Sequence, residues 1–150
     1  MRLIKLSPEK ELEFLKEIHR GDTSQIFCYL RDTFALLQAR SQMLLGLATI
    51  CLTITGFSGP RMAESNPFSR FFIGFGLAFV LLSIIAIMAG PLGLRWMTEW
   101  RADTIDETLV ENIVRRGVKT RLYRIATALL MVGLTGYLLS LICYLTTVEA

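Results

Sequence analysis

The stretch Gln38-Ala39-Arg40-Ser41-Gln42-Met43-Leu44-Leu45-Gly46-Leu47-Ala48-Thr49-Ile50-Cys51-Leu52-Thr53-Ile54-Thr55-Gly56 decides the fold. It passes from a polar, helix-forming segment into an uncharged one with no turn residue between the two. Within it Gln42, Gly46, Thr49, Thr53 and Gly56 recur at spacings of 4, 3, 4 and 3, which is one stripe of a helix whose other side is Met, Leu, Ile and Ala. In hydrocarbon such a stripe turns toward other helices, because small residues let backbones approach and hydroxyls find partners there. The stripe is therefore expected to be the seam around which the rest is arranged. Lining a pore is the alternative to ordinary helix packing within or between subunits, and packing is the simpler reading.

Outward from this stretch the charges map the remaining architecture. No Asp, Glu, Lys or Arg occurs between Arg40 and Arg61, between Arg70 and Arg95, or between Arg124 and Glu149. Each gap has room for the roughly 20 apolar residues that cross a bilayer core as a helix. A composition 53% apolar and 19% charged, with a mean hydropathy of +0.49, agrees. The fold class read from these features is an all-α integral membrane protein with three transmembrane helices. Amphipathic cytoplasmic helices precede span one and lie between spans two and three. Residues 1–37 form the first cytoplasmic part, and 38–148 the three-span domain with a cytoplasmic helical loop over 95–124.

Sidedness follows from the basic residues. Seven Lys or Arg precede the first span, seven lie between the second and third, and only Arg61 and Arg70 lie between the first and second. The positive-inside rule places the N-terminus and the long loop in the cytoplasm and the C-terminus outside. The first apolar run follows an acidic, helix-forming segment, so no secretory signal peptide is expected.

Along the chain, Ser7-Pro8-Glu9 reads as a helix start, with Leu12, Leu15 and Ile18 on one face. Gly21 ends that helix and Asp22-Thr23-Ser24 caps the next. Ile26, Phe27, Leu30, Phe34 and Leu37 give the second helix its apolar face, and nothing breaks it before Ile54. Phe57-Ser58-Gly59-Pro60 is expected to stop it, leaving an outer loop over Ser58–Ser69, with Asn66-Pro67 setting up span two. Span two, Phe71–Gly90, carries Gly76, Ser83 and Gly90 at seven-residue spacing. Trp96 and Trp100, one turn apart, suit the interfacial belt, as does Tyr123. Thr104-Ile105-Asp106-Glu107 is a capping box opening a helix with Ile105, Leu109 and Ile113 on its apolar face. Glu111 is placed to pair with Arg115. Span three, Ile125–Val148, carries Gly133, Gly136 and Ser140, a second close-packing stripe.

Reactive chemistry is not visible. Cys28, Cys51 and Cys143 are scattered, His19 has no second histidine near it, and no nucleophile and acid–base pair share an orienting group. No catalytic residue, metal site or cofactor is assigned, and no nucleic-acid partner. The basic set Arg115, Arg116, Lys119, Arg121 and Arg124 is read as contacting lipid headgroups, with a phosphate-bearing ligand as the alternative. Arg40 is read as snorkelling to the interface. With a small-residue stripe on every span, a homo-oligomer is expected.

Two membrane entries carry a family resemblance. Arg40-Ser41-Gln42-Met43-Leu44-Leu45-Gly46-Leu47 leads into the first span, and Lys119-Thr120-Arg121-Leu122-Tyr123-Arg124-Ile125-Ala126, with Leu129-Leu130 and Gly133-Leu134, into the last. From about Leu30 onward this layout resembles the transmembrane effectors of bacterial cyclic-pyrimidine (Pycsar) antiphage signalling. Lys119, Tyr123, Arg124 and Ala126 are in register with that family; at the first entry Arg40 and Gln42 stand where it has an acidic residue and then a lysine. The resemblance implies a membrane-impairing effector that oligomerises in response to a nucleotide. The residues themselves leave two classes open: a channel-like inner-membrane assembly acting on a cytoplasmic signal, or a structural subunit binding a partner protein through its cytoplasmic helices.

Overall fold

A computed structural model describes residues 6–65, 67–92 and 103–148. The described residues form four helices and no strand: α1 (Pro8–Ile18), α2 (Thr23–Ser65), α3 (Pro67–Ala89) and α4 (Ile105–Val148). Three of them, α2, α3 and α4, are long and apolar enough to cross a membrane. At 1.5 Å per residue α3 is about 35 Å long, close to a bilayer core, whereas α2 and α4 are about 65 Å each. The two long helices therefore run well past the end of α3, and that excess carries the charge.

Local signals set the helix starts. Ser7 Oγ accepts from Lys10 N–H, and Pro8 opens α1. The Asp22 carboxylate accepts from the backbone N–H groups of Ser24 and Gln25 at the head of α2. Thr104 and Glu107 exchange the two bonds of a capping box at the head of α4. The end of α1 is less direct than the glycine suggests. Gly21 N–H reaches Lys16 C=O and Arg20 N–H reaches Glu17 C=O, a Schellman pair, with Arg20 (φ 51°) as well as Gly21 (φ 78°) in left-handed backbone.

The structure corrects the expected stop at Phe57-Ser58-Gly59-Pro60. α2 continues through Pro60 to Ser65, so the loop over Ser58–Ser69 is helix apart from Asn66, which lies outside the described residues. A proline costs a helix one hydrogen bond and a clash with the carbonyl four residues back. Here that carbonyl belongs to Gly56, and α2 continues past Pro60 nonetheless. α4 likewise runs without interruption from the capping box through Arg124 into the apolar stretch.

Two separate cores sit on the same two long helices. At the charged end, Ile26 and Leu30 of α2 and Leu109 and Ile113 of α4 close over Leu12 and Leu15 of α1. Two of the expected face residues turn outward instead: Ile18 and Ile105 are more than half exposed, because α1 meets the others only along its Leu12–Leu15 edge. Lys16 pairs with Asp106 at 2.7 Å, Glu11 pairs with Arg116, and together they set α1 antiparallel to α4. At the apolar end Ala48, Val80 and Leu130 form the second core, backed by Leu44, Leu52, Ile84 and Leu134.

Candidate functional site

Inside the protomer the tightest contact lies between α3 and α4, not along the stripe of α2. A Cβ on Gly76 would lie 2.8 Å from the Gly133 carbonyl oxygen, and one on Gly133 would lie 2.8 Å from Val80 Cγ2. One on Gly136 would meet Gly76 Cα at 3.2 Å, and one on Gly90 the Leu122 side chain at 2.8 Å. Only glycine permits backbones this close. The hydroxyls here cross between helices: Ser83 donates to Ala126 C=O at 2.8 Å, and Ser69 and Ser140 share a hydroxyl–hydroxyl contact of 2.9 Å. Each serine of that pair also donates toward the other's carbonyl, at 3.3 and 3.0 Å. Ser69 falls at the end of the expected outer loop, although it stands seven residues before Gly76 and continues the series 69, 76, 83, 90. Reading that repeat one heptad further back would have found it.

The stripe Gln42, Gly46, Thr49, Thr53 and Gly56 faces away from α3 and α4, and all five residues are exposed. Within the protomer the stripe is therefore not the seam on which the helices close. Spacing defines a stripe but not its direction, and α2 has a second, inward stripe through Ser41, Leu44, Ala48, Leu52 and Thr55. Ala48, fully buried, is the small residue on which α2 closes against Val80 and Leu130. Thr49 and Thr53 donate to the carbonyls of Leu45 and Thr49, so their hydroxyls are satisfied within α2. No atom lies within 4 Å of a Cβ placed on Gly46 or Gly56.

Where the three apolar helices meet, the void among Cys51, Thr55, Gly76, Val80, Gly133 and Tyr137 is only about 10 Å³. That is about the room one water needs. The Ser58 and Tyr137 hydroxyls approach to 3.2 Å beside it, joining α2 to α4. The three helices are closely packed at this junction.

The five basic residues of α4 are distributed by the helix rather than gathered. Arg116 turns into the α1 contact with Glu11. Arg115 pairs with Glu111 at 3.0 Å as spacing predicts, and Lys119 Nζ stands 5.6 Å from the centre of the Phe34 ring. Arg121 and Arg124 are exposed, as is Arg40 on α2, and Tyr123 is half-buried. Trp96 and Trp100 lie outside the described residues. Arg115 and Lys119, with Arg31 of α2, line a cleft of about 840 Å³ between α2, the C-terminal end of α3 and α4. Its walls are Phe34, Leu37, Leu92, Val118 and Leu122, and Glu111 and Gln38 stand at its edge. Sequence reading gave the cations but not the cleft, which exists because α3 stops at Ala89 while its neighbours continue.

Compared with known proteins, the chain matches no family model, no curated protein and no solved structure.

Proposed function

We propose that this is a small homo-oligomeric protein of the inner membrane that acts as a membrane-perturbing or channel-like effector on a cytoplasmic signal. The charged bundle faces the cytoplasm and α4 ends outside, the orientation that the basic residues favour. The observation that carries this reading is the outward stripe of α2. Each protomer is closely packed where its three apolar helices meet, while a row of two glycines, two threonines and a glutamine points away from it. Small residues on a lipid-facing surface suit contact with another helix, and a second copy is the partner this reading assigns. A pore, if formed, then lies between copies and is lined by neutral polar groups. The likeness of the two membrane entries to the Pycsar effectors makes a nucleotide the first candidate signal. No catalysis is involved.

Cross-linking in mild detergent, followed by dye release from vesicles, tests this. Oligomer bands and dye release are expected, and both fall in a Gly46→Leu variant. A monomer that leaves vesicles sealed removes the proposal.

One observation favours a second reading, a non-enzymatic scaffold for a partner protein. Phe14, Ile18 and Ile105 are each more than half exposed on the charged bundle, where lipid does not cover them. Induced expression with a potential-sensitive dye separates the two: depolarisation supports the effector, unchanged potential with a stoichiometric co-purifying protein the scaffold.

A further inference from the structure

The cleft beneath the end of α3 is a gap in a helical bundle at a particular depth. Gly90 packs on Leu122 at its upper edge, just where the uncharged stretches of α2 and α4 begin, at Ser41 and Ile125. Its upper edge therefore lies level with the headgroups of a bilayer that covers the three apolar helices. Below that edge the described wall residues combine Leu37, Val118 and Leu122 with the cations Arg31, Arg115 and Lys119 and with the acid Glu111, which pairs with Arg115. Arg31 is exposed, and the one acid it contacts is its equally exposed neighbour Asp32, at 3.4 Å.

We infer that this cleft seats the headgroup and upper acyl chains of one anionic phospholipid per protomer. Charge complementarity selects the class: among the described lining residues three cations outnumber the one acid, an excess that Asp32 beside Arg31 narrows but does not remove, and this favours an anionic phosphodiester over a zwitterionic headgroup. The apolar walls select a lipid over a soluble phosphate. A free phosphate gains nothing from Leu37, Val118 and Leu122, whereas an acyl chain covers them and continues onto the apolar surface above. Val118, 55% exposed, then has a lipid neighbour rather than water. The inference rests on the membrane placement of α2, α3 and α4 and is independent of whether the assembly conducts.

The test is photo-cross-linking of the full chain with a benzoylphenylalanine in place of Val118, reconstituted in vesicles of phosphatidylcholine with or without phosphatidylglycerol. A second probe replaces Ile85, 62% exposed in the middle of α3, as a control for membrane insertion. The expected product at position 118 is a phosphatidylglycerol adduct. Arg31→Gln and Lys119→Gln should each reduce it by about fivefold, the worth of one cation near an anionic surface, with the Ile85 adduct unchanged. Equal yields from the two lipids overturn the anionic assignment. Cross-links to residues 93–102 or to a second copy assign the cleft to those occupants and overturn the inference. Lipid adducts at Ile85 with none at 118 overturn the cleft site alone, whereas none at either position also removes the membrane placement.

Discussion

At the charged end of the molecule the residues between helices are Leu12, Leu15, Ile26, Leu30, Leu109 and Ile113; at the apolar end the α3–α4 contact runs through Ser69, Gly76, Ser83, Gly133, Gly136 and Ser140, beside a smaller core of Ala48, Val80 and Leu130. Many large side chains of the apolar end point outward, with Phe57 84% and Met43 75% exposed. One helix, α4, thus follows opposite packing rules over its two halves. In water, removing a leucine from solvent is itself the driving force. In lipid that gain vanishes, because a hydrocarbon tail is as apolar as leucine, and what remains is close approach and hydrogen bonding. A leucine seam and a glycine–serine seam are two solutions for two solvents.

The largest expected effect that sharpens this contrast is at the charged end. Leu30→Ala, at a fully buried position, should destabilise α1 docking by about 3 kcal/mol. Hydrogen exchange would show loss of protection across α1 and the foot of α4, while the α3–α4 seam stays protected. Opening of both regions together would join them into one cooperative unit and end the comparison.

Gly76→Ala adds one methyl against the Gly133 carbonyl oxygen, which cannot rotate away as a side chain can. Separation of α3 from α4 at a cost of about 2 kcal/mol is expected, read as a lowered unfolding midpoint in detergent with α1 protection intact. The same change on the α2 stripe, Gly46→Ala, should leave an isolated protomer unaffected, since that Cβ meets open space.

Arg20 holds a left-handed backbone that glycine adopts without strain. Arg20→Gly should stabilise the α1–α2 turn by about 1 kcal/mol, seen as slower exchange in α1. A destabilisation would mean that the Arg20 side chain outweighs its backbone strain.

Ser140→Ala leaves the Ser69 hydroxyl with the Ser140 carbonyl, at 3.3 Å, as its remaining acceptor. A loss of about 0.6 kcal/mol is expected, the usual worth of an interhelical hydrogen bond in lipid. The smallest effect is that of salt. Lys16–Asp106 and Glu11–Arg116 keep some solvent access, so raising ionic strength should loosen α1 by a few tenths of a kcal/mol per pair and leave the glycine–serine seam unchanged. Equal salt sensitivity of the two halves would break the contrast.

Much of this was legible in the sequence. Three charge-free stretches gave three apolar helices, because no other backbone arrangement of that length satisfies its hydrogen bonds in lipid. Ser7-Pro8, Asp22 and Thr104 through Glu107 gave the starts of α1, α2 and α4, because capping involves only a few consecutive residues. Gly76, Ser83, Gly90, Gly133, Gly136 and Ser140 were visible as stripes for the same reason. Direction was not visible. Gln42, Gly46, Thr49, Thr53 and Gly56 form as regular a stripe as the inward one through Ala48, and only the positions of α3 and α4 decide which of the two is covered. Pro60 reads as a stop by local rules, yet α2 continues through it. The five cations of α4 are adjacent in sequence, yet Arg116 serves the α1 contact while Arg115 and Lys119 enter a cleft that the early end of α3 leaves open. Periodicity and capping depend on neighbours along the chain. Which face meets which, and where a gap is left, depends on residues about 70 positions apart, as with Ser69 and Ser140, and only the folded chain brings those together.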